Sequence, residues 1–150
     1  MIRQKALPKW EGKGKDPAKV QQHYQTRMHK QNTIGHEVFF KKRLAILKNR
    51  NKYKYKKEFN ITWQDLKEIF PKDNRCPIFK TSFVTGKKYS RKLWPSVDRI
   101  DNNKGYTKGN IIWVSNGANS MKGEFTADEI IKVGKFYKEL EREHGCSSGY

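Results

Sequence analysis

Two short β-type runs, residues 96–100 and 110–114, constrain this chain more than any other feature. A loop rich in turn formers separates them: Asp101-Asn102-Asn103-Lys104-Gly105-Tyr106-Thr107-Lys108-Gly109. Directly after the second run, Ser115 or Asn116 caps a short helix through about Lys122. The order strand, polar loop, strand, helix brings Asp98 to the end of the first strand. It brings Asn110 to the start of the second strand and Asn119 into the helix.

The residues around this unit are basic and polar. Apolar residues make up 35% of the chain and mean hydropathy is −1.01, so any core is small. Aromatic residues at 13% argue against a disordered polycation. The length of 150 residues suits one domain with an appendage. Residues 1–60 carry 17 Lys/Arg against 4 Asp/Glu, residues 61–123 carry 12 against 5, and residues 124–150 carry 4 against 6. A net charge of +18 concentrated at the front suits a segment lying along a polyanion. The alternative is a solvated lysine-rich face. A membrane-surface role is weaker, because the basic stretches lack a clean apolar stripe. No apolar run reaches the roughly 18 residues of a membrane span, and residues 1–9 lack a signal-peptide apolar region. The expectation is a soluble, cytoplasmic protein. Cys76 and Cys146 cannot form a four-cysteine zinc site.

The chain divides into a basic arm and helix (residues 1–35), a basic helix leading into the core (36–58), a core domain (59–145) and a tail (146–150). Asp16-Pro17 starts a polar helix through about residue 30, with Val20, Tyr24 and Met28 as its thin apolar edge. A second helix over about 37–57 has Phe40, Leu44 and Leu47 on one side. Lys41, Lys42, Arg43, Lys48, Arg50, Lys52, Lys54, Lys56 and Lys57 ring the rest as candidate nucleic-acid contacts. Tyr53 and Tyr55 lie between the lysines, suited either to base stacking or to closing the helix onto the domain. Thr62 caps a short helix that ends before Pro71. Residues 76–94 are irregular. Thr126-Ala127-Asp128-Glu129 is a capping box opening a last helix striped by Ile130, Val133, Tyr137 and Leu140.

The segments Pro95-Ser96-Val97-Asp98-Arg99-Ile100-Asp101, Lys104-Gly105-Tyr106, Gly109-Asn110 and Ala118-Asn119-Ser120-Met121-Lys122 stand in an order that resembles the ββα-metal (His-Me finger) core of HNH endonucleases. The resemblance covers roughly residues 40–140. It implies an α+β fold: a ββα-metal nuclease core, a mostly helical basic N-terminal extension and a C-terminal helix that closes the core. It implies that Asp98 and Asn119 hold a divalent ion, Mg²⁺ or Mn²⁺, and that the amide of Asn110 ties the loop into its working shape. A carboxylate with a neutral oxygen donor suits one hard ion that keeps positions for water and phosphate. Taken singly, Asp98 reads as a turn residue and Asn119 as an ordinary helix asparagine.

Two departures from the family pattern stand out. Arg99 occupies the place of the histidine that serves as general base, and a guanidinium has no lone pair for a proton. Arg99 could instead clamp the scissile phosphate. The base then comes from Tyr106, from Asp101, from His36 at the start of the basic helix, or from metal-activated water alone. His23 and His29 belong to the arm and His144 to the end of the last helix. The second departure is a single sulfur, Cys76, where many relatives pair cysteines. No structural zinc is expected, and Ile78, Phe79, Phe83 and Trp94 would supply an apolar substitute. Cys76 itself reads as a small buried hydrophobe.

The expectation is a metal-dependent endonuclease acting on double-stranded DNA, of the phage or free-standing homing kind, in the host cytoplasm if phage-encoded. Two other classes stand beside it. One is an HNH-like DNA-binding module without catalysis; the other is a basic RNA-binding protein stacking bases on Tyr53, Tyr55 or Trp10. Oligomeric state is not legible in these residues.

Overall fold

The computed structural model describes residues 16–86 and 88–145; the basic arm before Asp16, with Trp10, and the tail with Cys146 lie outside the described residues. Helix α1 spans Pro17–Asn32, capped by Asp16, whose carboxylate accepts from the Ala18 N–H. Its apolar edge is thin and Tyr24 is exposed. After a turn at Gly35, α2 spans Glu37–Arg50 and buries Phe39, Phe40 and Leu47. The helix does not continue to residue 57 as α-helix. It widens into a π turn over Asn51–Tyr55 that ends at Lys56 with φ +52°. The amide of Asn51 holds this ending, donating to the Lys57 carbonyl at 2.7 Å and accepting from the Lys57 N–H. The wider turn rotates Tyr55 out of the lysine face and onto the domain.

Helix α3, Trp63–Glu68, opens on a full capping box between Thr62 and Asp65. An irregular segment follows, held by backbone bonds between Asn74 and Phe83 and between Cys76 and Thr81. Strands β1, Pro95–Arg99, and β2, Ile111–Ser115, form an antiparallel pair with Val97 opposite Trp113 and Asp98 opposite Ile112. Each strand is offset by one residue from its expected range, so Asn110 precedes β2. Ser115 caps α4, Asn116–Lys122, and Thr126 caps α5, Ala127–Glu143, again through a capping box. The described residues thus form an α+β arrangement of helices around one two-stranded sheet. Among them no helix is long and apolar enough to cross a membrane.

A hairpin of this size is marginal alone and needs a partner surface. Trp113 supplies the attachment. Its ring is fully buried, stacks on Phe39 at 6.0 Å, and meets Phe40 and Phe70 edge-on. The indole N–H donates to the Leu66 carbonyl at 2.8 Å, which joins β2 to α3. Burying an aromatic ring of this size stabilises by roughly 2–3 kcal/mol, before any edge-to-face term. Cys76 sits in the same core as a buried, free thiol. Burial pushes that thiol up, but N–H groups of Phe79, Ser115 and Ile78 around the sulfur more than offset this and leave it below the ordinary value.

Two sequence expectations fail here. Phe83 is buried in the core and Trp94 is half-buried, but Ile78 and Phe79 are 59% and 47% exposed, so only part of the expected apolar clip exists. The turn after Cys76 is closed by backbone bonds and leaves its two apolar side chains in solvent. The last helix does not close the core: Val133 and Tyr137 are 56% and 58% exposed, and no residue of α5 is buried. Amphipathic spacing reports that one helix face is apolar; it does not report which surface covers it.

The loop between the strands is fastened to the helical front at Gly105. The Tyr106 N–H donates to the Glu58 carbonyl, and the Asn60 N–H returns a bond to the Tyr106 carbonyl. A Cβ on Gly105 would lie 1.9 Å from the Glu58 oxygen, so only glycine fits. Gly105→Ala is expected to lower stability by at least about 2 kcal/mol in urea unfolding. Asp65 makes a second prediction. Lys108, at 2.8 Å, and then the side chain and N–H of Thr62 hold its carboxyl at about 2. A carboxyl depressed in the folded state stabilises above its unfolded value and loses that contribution as pH falls through about 2. Asp65→Asn is therefore expected to be less stable than the parent at neutral pH. The gap should close between about pH 4 and pH 2, as read by thermal unfolding across that range.

Candidate active site

Side chains alternate along a strand, and this decides what each residue of β1 can reach. Val97 and Arg99 share the face of Trp113; Ser96 and Asp98 share the opposite face, on which α4 packs. Residues of both faces border a cavity of about 280 Å³ that extends to the loop between the strands. Asp98 and Arg99 line it from β1, Asn102 and Tyr106 from the loop, and Asn119 and Ser120 from α4. Arg50, Lys54 and Tyr55 line it from the helical front, and Gly123 and Glu124 from the segment after α4.

The loop is held from within by Asn110. Its amide oxygen accepts from the Asp101 N–H at 2.9 Å, and its amide nitrogen donates to the Asp101 and Gly105 carbonyls at 3.1 and 2.9 Å. Arg99 supplies the second brace. One guanidinium nitrogen donates to the Asn102 and Lys104 carbonyls, each at 3.0 Å, while the group lies 3.9 Å from the centre of the Tyr55 ring. Arg99 is buried, with one nitrogen on the loop carbonyls and the guanidinium face on the tyrosine. The π turn after α2 is what brings Tyr55 under it.

Asp98 and Asn119 come to the same cavity. The amide nitrogen of Asn119 donates to Ser96 Oγ at 2.8 Å and to the Val97 carbonyl at 3.4 Å. Its Oδ1 accepts no hydrogen bond among the described residues. Asp98 is buried and paired with Lys122, whose Nζ lies 2.9 and 3.2 Å from the two carboxylate oxygens. These are hard oxygen donors, the kind Mg²⁺ and Mn²⁺ take. Among the described residues no group of three or more His, Cys, Asp or Glu side chains stands together.

The expected proton acceptors are dispersed. Asp101 turns back into its own loop, accepting from the Asn103 N–H at 2.8 Å, with Lys104 beside it. Tyr106 is buried; burial pushes its hydroxyl up, against the opposing pull of the Arg50 guanidinium bonded to it, so it is a phenol at neutral pH. His36 caps α2, its Nδ1 accepting from the Val38 N–H at 3.1 Å, and does not line the cavity.

The nine basic candidates separate into distinct places. Arg50 and Lys54 line the cavity, with Lys54 3.4 Å from Glu124. Lys57 donates to the Asn103 carbonyl at 2.8 Å and so helps hold the loop. Lys41 pairs with Glu37 and lies over Trp63, and Arg43 lies over the Phe39 ring, where burial lowers its pKa. Lys42 is half-buried, and Lys48, Lys52 and Lys56 point to solvent, Lys52 beside the Tyr53 ring. Tyr53 is 72% exposed, so it is the tyrosine free to stack on a ligand. Asn102, which lines the cavity, and Lys122, which is bonded to the cavity residues Asp98 and Asn102, are residues that pattern reading did not single out. Lys122 stands three residues after Asn119, close to one helical turn on, which is the signal that could have found it.

Asn110→Ala would leave the Asp101 N–H without its acceptor and take one of two donors from each of the Asp101 and Gly105 carbonyls, which keep the Lys104 and Thr107 N–H. It is expected to cost about 2–3 kcal/mol in chemical unfolding and to raise hydrogen exchange in residues 101–105 selectively.

No family model matches the chain, and no solved structure matches it. The chain is similar to an uncharacterized 29.0 kDa protein from the dda-modA intergenic region of Enterobacteria phage T4, 32% identical over 76 residues. The match takes in 51% of this chain and spans only 29% of the phage protein's length.

Proposed function

We propose that the protein is a metal-dependent DNA endonuclease built on a ββα-metal core. The observation that carries this reading is that the buried Asp98 and Asn119, whose Oδ1 accepts no hydrogen bond among the described residues, line one open cavity with Arg50 and Lys54. The +18 charge, concentrated over residues 1–60, supports a polyanionic substrate. The similarity to a phage protein fits a phage endonuclease acting in the host cytoplasm.

Asp98 and Asn119 would hold the ion, Mg²⁺ or Mn²⁺, as two oxygen ligands on facing elements. When bound, it supplies neutralisation of charge on the phosphate and the leaving oxygen, together with activation of water. The chain's own residues do the rest. Arg50 and Lys54 bind the phosphate from the helical front, and the outer lysines of α2 and the π turn hold the flanking backbone. Asn110 and Arg99 keep the loop rigid, so that Asn102 and Tyr106 keep their positions on the cavity wall. Arg99 acts as this brace through one guanidinium nitrogen, bonded to the Asn102 and Lys104 carbonyls. Tyr106 stays a neutral phenol, accepts from the Arg50 guanidinium and does not serve as the base.

Arg99 at the usual base position favours a second reading, a DNA-binding module without cleavage. Incubation of supercoiled plasmid with Mg²⁺, Mn²⁺ or chelator separates the two. Metal-dependent nicked or linear product is expected, with Asp98→Ala and Asn119→Ala each slowing it by about 100-fold or more. Cleavage at the parent rate in both variants overturns the site. DNA binding retained in chelator with no cleavage under any condition favours the binding module.

A further inference from the structure

Lys122 closes α4, yet its ammonium lies under the loop rather than in solvent. Its three N–H donors face oxygen alone: the Asp98 carboxylate at 2.9 and 3.2 Å, the Arg99 carbonyl at 2.5 Å and Asn102 Oδ1 at 3.3 Å. The side chain is three-quarters buried and that of Asp98 is about nine-tenths buried, so solvent screens this pair far less than a surface bridge. One charged and two neutral oxygens around a cation is also the donor chemistry of a hard divalent ion. The other candidate ligand residue, Asn119, lines the same cavity, and its Oδ1 accepts no hydrogen bond among the described residues. One ligand of the pair is therefore open, and the other is already engaged by a cation belonging to the protein.

We propose that Lys122 is the resident counter-ion of Asp98, and that a divalent ion gains the Asp98 carboxylate only by displacing that ammonium. This rests on the reading of Asp98 and Asn119 as ion ligands. A dication and an ammonium cannot share one carboxylate in a partly dry cavity without repulsion, so each weakens the hold of the other. Lys122 thereby acts as a positioning residue. It holds Asp98, the end of β1 and Asn102 together in the metal-free protein, and it raises the ion concentration at which the site fills. The Asn102 amide, which also donates to the Gly123 carbonyl at 3.2 Å, links this nest to the end of α4.

The test is Mn²⁺ binding to the full chain without DNA, followed by electron paramagnetic resonance at fixed ionic strength. Lys122→Met keeps the length of the side chain and removes the competitor. It is expected to bind Mn²⁺ on the order of tenfold more tightly than the parent, with Lys122→Arg close to the parent. Equal or weaker binding by Lys122→Met overturns the proposal. A measurement on the parent chain keeps the question answerable if Lys122→Met does not fold. The side-chain ammonium resonance of Lys122 should shift on titration with Mg²⁺, and the shift should vanish in Asp98→Asn; an unmoved resonance overturns the proposal. Binding that is lost in Asp98→Asn but indifferent to Lys122 overturns the counter-ion role alone. No Mn²⁺ binding by any of these proteins overturns the ion-ligand reading and the counter-ion role with it.

Discussion

The structure depends on one ring. Trp113 lies at the centre of β2, fully buried against Phe39, Phe40 and Phe70, with its N–H on the Leu66 carbonyl. A two-stranded hairpin with one polar loop has too little apolar surface to hold itself together in water. Here it is fastened to α2 and α3 through this side chain, so the helical front and the hairpin share one core. In a chain with 35% apolar residues, aromatic rings provide the largest buried area per residue.

Once Trp113 points into that core, the two-residue period of the strands settles the rest of β1. Arg99, on the face of Trp113, is drawn under the loop and onto Tyr55, where its guanidinium replaces loop hydration with carbonyl bonds. Asp98, on the other face, meets α4 and Lys122. The side chains of the neighbouring residues Asp98 and Arg99 thus make different contacts, which meet at Lys122 and Asn102 and border one cavity. The arginine braces the loop, and the carboxylate faces the chemistry proposed for it. Gly105 and Asn110 complete the arrangement, one by allowing the loop to approach Glu58 and the other by filling its interior.

Much of this was legible from local pattern. Asp16, Thr62, Ser115 and Thr126 all cap the helices their side-chain chemistry marks, because capping is a contact between near neighbours in sequence. The two strands appear within one residue of their expected ranges, and Asn110 ties the loop as the resemblance implies. The π turn was not legible, since lysines and tyrosines in alternation carry no signal for one extra residue per turn. Lys122 was not singled out, because a lysine at a helix end usually points to water. Tyr53 and Tyr55 read alike in sequence, and only the rotation at the π turn separates an exposed ring from a ring under Arg99. The apolar stripe of α5 was legible, but not the fact that the described core leaves it uncovered.

The sequence by itself determined the helix starts, the hairpin with its glycine and asparagine, the excess of positive charge at the front, and the ordered set of Asp98, Asn110 and Asn119. These follow from short-range geometry and from composition, which do not depend on how distant segments meet. Only the tertiary structure decided that Arg99 is a brace, that Lys122 is the partner of Asp98, that Arg50 and Lys54 reach the cavity while Lys48, Lys52 and Lys56 do not, and that Tyr106 is buried. Those outcomes depend on which face of each element the aromatic core claims, and residues far apart in the chain compete for that core.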